Sequence, residues 1–295
     1  MNAVNRKYML IGLVLLAPSV IIYFLFMAYP LGRTLYLSFT GWGGFGPAKV
    51  TGFSNYSKIL KDKTFIMALK NTILFAVGSA VFSVLIGILL AWLNLFLRRF
   101  SGQVSRTLLF MPSVIAPTIT GLLFLFIFTE DVGLINGFLR SIGLGQFATA
   151  WLTNPSTVKN AILVQQTWRQ FGLVMVLCYA GLQGVPMELI ECARIDGATD
   201  GKILWKILLP LIKPQIELAT MVTTLGGLKI YDSVVSLTGG GPARQTVVLP
   251  MWIIENAFTY SKFGYASAMC IYFIVVVLIF TLILRRIFKG ETYEY

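Results

Sequence analysis

Four stretches of this 295-residue chain run for more than twenty residues without a charged side chain: residues 8–29, 72–97, 107–129 and 263–284. A helix needs about 20 apolar residues to cross the ~30 Å hydrocarbon core of a bilayer. Two further stretches are apolar but interrupted. Residues 160–182 contain Arg169, and residues 207–228 contain Lys213 and Glu217, with Pro210 and Pro214 near the start. Backbone amides inside lipid find no water, so every crossing segment is expected to be helical. The chain therefore reads as an all-α, polytopic membrane protein with about six transmembrane helices. Its composition agrees: 57% of residues are hydrophobic and only 12% charged, against about 25% charged in soluble domains.

The formal net charge is +12 and histidine is absent. The cations sit between the apolar runs, as membrane-flanking charges do, and form no stripe interleaved with aromatics, so nucleic acid is not an expected partner. Arg6 and Lys7 precede the first run, which lacks a small-x-small cleavage site and reads as a retained span. Arg98, Arg99, Arg106, Arg285 and Arg286 directly abut spans, whereas residues 130–159 carry two cations. Charge density near the span ends thus places both termini in the cytoplasm. Cys178, Cys192 and Cys270 are widely spaced, with no metal-ligand or disulfide pattern. Without histidine there is neither an HExxH motif nor a Ser-His pair.

Pro18, Pro112 and Pro117 lie inside apolar runs, where each removes a helix hydrogen bond. Either they bend helices structurally or they mark broken helices lining a transport path, where freed groups find partners. Between the fourth and fifth runs, at residues 183–206, stands Glu191-Cys192-Ala193-Arg194-Ile195-Asp196-Gly197-Ala198-Thr199-Asp200-Gly201. Pro186 suits a first helical turn. No breaker follows from Met187 to Ile195. Gly197 suits the left-handed residue that ends a helix, and Thr199 or Asp200 caps the next one. A helix–Gly turn–helix results. With Ala193 and Gly197 small, it suits docking into a groove on a cytoplasmic partner; the alternative is an amphipathic loop resting on the membrane surface.

That loop resembles the signature loop of bacterial ABC importer permeases. It matches at Glu191, Ala193, Asp196, Gly197, Ala198, Ile207, Leu209 and Pro210, and departs at Cys192, where the family usually has alanine. The resemblance extends along most of the chain. It includes Ser38-Phe39-Thr40 with Trp42, Asn55-Tyr56, Ala68-Leu69, Asn71-Thr72, Met111-Pro112, Gly133-Leu134-Ile135-Asn136, Trp151-Leu152 and Ala180-Gly181-Leu182-Gln183. It continues through Thr238-Gly239-Gly240-Gly241-Pro242 and Gly264-Tyr265-Ala266-Ser267-Ala268. Among these importers the chain is most similar to the maltose, glycerol-phosphate and multiple-sugar permeases.

The resemblance implies the type I permease fold of ABC importers, with residues 1–71 as an N-terminal span plus first outer loop and residues 72–295 as a core of five spans. It implies a subunit of an ATP-dependent sugar importer in a bacterial cell (inner) membrane, forming half of the translocation pathway. The implied partners are a homologous second permease, two copies of a cytoplasmic ATPase, an extracellular solute-binding (lipo)protein, a carbohydrate substrate and membrane lipid. ATP and magnesium would be held by the ATPase, and no cofactor by this chain. Glu191, Ala193, Asp196 and Gly197 would couple to the ATPase.

The resemblance places substrate contacts near the midplane of the fourth to sixth spans. Gln166, Trp168, Arg169, Gln170, Thr223, Thr224, Lys229, Tyr231 and Asp232 are the candidates. Amides, hydroxyls, charges and an aromatic face suit a sugar, and ionisable groups at membrane depth are functional candidates. Arg169 and Lys229 have the alternative of snorkelling to the surface, and Trp168 that of an interfacial anchor. Lys213 and Glu217, one turn apart, are placed to pair. Two apparent motifs are excluded. Gly41-Trp42-Gly43-Gly44-Phe45-Gly46 has the spacing of a dinucleotide fingerprint but follows a span rather than a strand. Residues 197–202 have one residue too few for a phosphate loop, and Ile203 stands where Ser or Thr holds magnesium. The remaining alternatives are a self-sufficient secondary transporter, which usually carries internal repeats, and an intramembrane enzyme.

Overall fold

The computed structural model describes residues 3–289. The side chains of Arg6 and Lys7 and residues 290–295, on which part of the orientation reading falls, lie outside the described residues. Helices dominate. Among the described residues the only extended pairing is the isolated bridge between Thr40 and Val50.

Three helices are long and apolar enough to cross a membrane: Ile11–Ser38, Lys63–Leu95 and Phe263–Phe288. Two bent pairs raise the total to five if each is one crossing. The first helical run is continuous past residue 29 because a π turn, Phe24–Ala28, stands just before Pro30 and takes up the ring that lacks an N–H.

Two expected spans differ from a single helix. The third is split into Arg99–Val114 and Pro117–Ile127, bent by 101°. Ala116 precedes Pro117 and is forced into an extended conformation, φ −55° and ψ 138°. Pro112, by contrast, stays inside its helix. The fifth is interrupted at Ile212, which leaves Lys213–Leu228 as a helix of 16 residues. At 1.5 Å per residue that is about 24 Å, short of the hydrocarbon thickness. Pro210 and Pro214 on either side explain the break. The fourth run, Val158–Gln183, is followed by Met187–Ile195 at 77°.

The chain divides into two compact units. One comprises Met1–Asp62 and Ile253–Val275; the division expected at residue 71 instead falls within the helix Lys63–Leu95. In this unit Asn55 Nδ2 donates to the carbonyls of Ser38 (2.9 Å) and Thr40 (2.8 Å). Phe39, Phe53 and Tyr56 stack with centroids 5.3–5.8 Å apart. Tyr265 donates to Asp62 at 2.9 Å. Gly264 lies directly against the Thr40 carbonyl, where a side chain has no room. Motif residues from both ends of the chain thus converge.

The other unit comprises Lys63–Trp252 and Val276–Tyr295. Its helices Lys63–Leu95, Val158–Gln183 and Lys213–Leu228 pack closely because glycines face the crossings. A Cβ on Gly87 would lie 2.6 Å from Val174, and one on Gly227 2.6 Å from Ala76. Asn71 Nδ2 donates to the carbonyls of Gln245 (2.7 Å) and Val247 (2.9 Å), and the Leu249 amide donates to Thr72 Oγ1 at 2.8 Å. These bonds pin the loop that carries Thr238-Gly239-Gly240-Gly241-Pro242.

Candidate functional site

Two constellations in the larger unit hold the expected residues. The first is the elbow after Val158–Gln183. The helix Met187–Ile195 starts behind Pro186 and stops at Asp196, matching its sequence signals. Gly197 takes φ +78°, the left-handed conformation that L side chains resist. Two bonds close the end. The Gly197 amide donates to the Arg194 carbonyl at 3.0 Å, and the Ala198 amide to the Ala193 carbonyl at 2.9 Å. This is a Schellman motif. Thr199 then precedes Asp200–Ile203, and Arg194 pairs with Asp200 at 3.3 Å across the turn. Both partners are half-exposed, so the pair adds little stability.

Ala193 does not face outward. It is buried with Leu182, Val185, Ile203, Leu204 and Leu208 in a cluster that also holds Ala91, Val174 and Cys178. Its small side chain therefore serves the seating of the elbow on its own core, not the approach of a partner. Glu191, Asp196 and Gly197 are exposed on the other side. The elbow thus presents an outer face on which Glu191 and Asp196 stand beside exposed Ile195, while Ala193 joins the hydrophobic cluster shared with the long helices.

The second constellation is a cavity of about 170 Å³ lined by Pro117, Gln166, Arg169, Gly226, Lys229, Ile230, Tyr231, Asp232 and Ser233. Five of the nine expected path residues meet there. Gln166 and Arg169 are three apart on one helix and share a face. Lys229 and Tyr231 come from the turn after Lys213–Leu228, and Asp232 opens the next helix, Asp232–Thr238. Asp232 acts electrostatically on Arg169. Polar atoms are left without partners among the described residues: both amide atoms of Gln166, Oε1 of Gln165 and Gln170, Oγ1 of Thr167 and Nε of Arg169. An unpaired buried polar atom costs about 1–3 kcal/mol, so such a run points to water, substrate or another subunit as the partner.

Four expected path residues do not line this cavity. Gln170 lies beside it: a Cβ on Gly226 would be 3.3 Å from its Nε2. Thr223 is buried and bonds back to the Ala219 carbonyl at 2.8 Å; Thr224 is buried on the same helix. Trp168 packs on Phe124, centroids 5.2 Å apart, within an apolar cluster. Two positions from Gln166 means about 200° around a helix, which puts Trp168 on the opposite face. Pro117, Gly226, Ile230 and Ser233 line the cavity without having been expected; Gln165, outside its lining, donates from Nε2 to Thr120 at 2.9 Å. Lys213 and Glu217 are half-buried and, among the described residues, form no ion pair within 4 Å.

Comparison with known proteins matches residues 83–291 to the family described as binding-protein-dependent transport system inner membrane component. The probable ABC transporter permease protein YurN of Bacillus subtilis is 34% identical over 93% of this chain and 94% of its own length. The lactose transport system permease protein LacF of Rhizobium radiobacter is 32% identical over 94% and 93%. The sn-glycerol-3-phosphate transport system permease protein UgpA of Agrobacterium fabrum is 30% identical over 90% of each chain. A chain of a bacterial ABC transporter involved in the import of the acidic polysaccharide alginate superposes with a TM-score of 0.82, covering 98% of both chains at 22% identity. The MetNI methionine ABC transporter gives 0.56 at 15% identity, over 76% of this chain and 94% of that one. These two likenesses bear on the fold.

Proposed function

The chain belongs to the family of binding-protein-dependent transport system inner membrane components, and from that premise we propose that it forms half of the path by which a carbohydrate is imported. It is a transport subunit of the ABC importer type and not an enzyme; ATP hydrolysis belongs to a separate subunit. Its relatives are described as permeases for lactose, sulfoquinovosyl glycerol, sn-glycerol-3-phosphate and diacetylchitobiose. A sugar or sugar-like polyol is the substrate class in keeping with them and with the amide- and charge-lined cavity. In our reading a homologous second permease completes the path. Two copies of the ATPase bind ATP and magnesium on the cytoplasmic side, and an extracytoplasmic binding protein delivers the ligand.

The observation that carries this reading is the construction of the elbow. A helix whose end is locked by Gly197 and whose Ala193 is embedded in the membrane core converts a push on its outer face into movement of Val158–Gln183 and Lys213–Leu228. Orientation follows from the same place. Arg106 lies over the Tyr179 ring at 4.3 Å, near the start of the elbow, so the cations after the second span share its end of the unit. Excess cations mark the cytoplasmic side. We therefore place residues 183–206 in the cytosol.

The test uses the assembled transporter in vesicles. Glu191→Lys should abolish ATP-driven uptake of a radiolabelled sugar while leaving the membrane level of the permease unchanged. Full uptake at normal membrane level would overturn the coupling role.

A further inference from the structure

At the far end of the same unit from the elbow, the starts of helices Lys63–Leu95 and Val158–Gln183 enclose a pocket of about 300 Å³ lined by Lys63, Ile66, Met67, Lys70, Asn71 and Lys159. Three cations line it and no carboxylate does. Among the described residues, none of the three ammonium groups has a carboxylate within 4 Å. Asp62, next to Lys63 in the chain, takes the Tyr265 hydroxyl. Both helix starts add positive partial charge to that of the lysines. The floor is rigid, since Asn71 is held by the carbonyls of Gln245 and Val247. Like charges gathered on a fixed floor without an internal counter-ion repel one another and are relieved by an external anion.

The position favours a protein over a lipid headgroup. Ala91, near the last turn of Lys63–Leu95, shares the cluster that seats the elbow, so Lys63 is at the opposite, outer end. The charge-free stretch of this helix starts at Thr72. The nine residues before it rise about 13 Å, so the pocket runs from Lys70 and Lys159 at the edge of the apolar layer out to Lys63, which stands past the depth of a phosphate at the boundary. We propose that this lysine pocket is the docking point for an acidic surface of the extracytoplasmic solute-binding protein. The proposal rests on the importer reading above, which supplies that partner and the outward orientation. Charges of this kind steer encounter and fix register, and their effect fades with salt.

The experiment uses the complete transporter in nanodiscs of neutral phosphatidylcholine, with the solute-binding protein that stimulates its ATPase as the probe. The concentration of binding protein giving half-maximal stimulation is measured for wild type, for the triple variant Lys63→Gln, Lys70→Gln, Lys159→Gln, and for the corresponding triple arginine variant. At low salt the glutamine variant should need about tenfold more binding protein, with the maximal rate unchanged. The arginine variant should match wild type, and high salt should bring all three together. An unchanged half-maximal concentration in the glutamine variant overturns the proposal. So does a defect that arises only when phosphatidylglycerol is added, which assigns the pocket to a lipid. A wild-type complex that no binding protein stimulates would overturn the importer reading itself, whereas normal stimulation with an indifferent glutamine variant sinks only the pocket.

Discussion

The Ala198 amide donates to the Ala193 carbonyl at 2.9 Å, across a turn that Gly197 makes possible with φ +78°. One bond thus ties the turn after the elbow helix to Ala193, which is buried in the hydrophobic cluster against which Ala198 also packs. Gly197 has no atom within 4 Å of where a Cβ would stand, so its requirement is conformational and not one of space. Gly197→Ala should destabilise the turn by about 1 kcal/mol, and Gly197→Pro by more, because proline cannot adopt positive φ and its amide is used. Uptake per assembled transporter should fall moderately in the first and be lost in the second. Quantitative transport assays normalised to membrane-embedded protein would measure both.

Glu191 offers a complementary prediction on the outer face. Its carboxylate is exposed and away from the Ala193 cluster, so Glu191→Gln should leave the thermal stability of the detergent-solubilised subunit within about 0.5 kcal/mol of wild type. Co-purification of the ATPase should nonetheless drop. Equal ATPase recovery from the variant would remove Glu191 from the docking surface.

In the cavity, stability and function should separate. Gln166 is fully buried, with both amide atoms unpaired among the described residues. Gln166→Leu keeps the volume and removes the desolvation cost, so the melting temperature should hold or rise. Uptake should fall at least tenfold, because a polar contact to the substrate is gone. Trp168→Ala should lose transport through lost stability. It leaves a void beside Phe124 and destabilises by about 2–3 kcal/mol, while Trp168→Phe restores both folding and transport.

Helix crossing sets a fourth prediction. Gly87→Leu would drive a side chain into Val174, which already lies 2.6 Å from the position of a Cβ. Neither neighbour can give way without shifting a helix backbone. The variant should fail to accumulate in the membrane, whereas Ile86→Leu, on an exposed face, should accumulate normally. Immunoblots of membrane fractions distinguish the two.

How much of this was legible in the sequence depended on the range of the interaction. Pro186 and Gly197 act within one turn, and the elbow helix follows them residue for residue. The convergence of Gln166 and Arg169 obeys helical spacing, and the same spacing sets Trp168 on the opposite face, although its aromatic ring suits a sugar. Ser233 and Gly226 carried no local signal; they reach the cavity only because helix Lys213–Leu228 packs against Val158–Gln183. Five of the six apolar runs fall on helices or bent pairs apolar enough to cross a membrane, while the fifth run yields only the short helix Lys213–Leu228; hydropathy is blind to direction. The break at Ala116 arises from a steric clash with Pro117, and the one at Ile212 from prolines on both sides, so two expected spans are segmented. The inward turn of Ala193 was hidden because small residues suit both a core and an interface.

The account depends most on which side of the membrane the elbow occupies. Cys192 is exposed on it, Cys178 is buried and Cys270 half-buried, so Cys178→Ala and Cys270→Ala leave a single reporter. A membrane-impermeant maleimide should label Cys192 in inside-out vesicles and leave it unlabelled in intact cells. Labelling from the outside of intact cells would contradict a cytosolic elbow and, with it, the coupling of this chain to an ATPase.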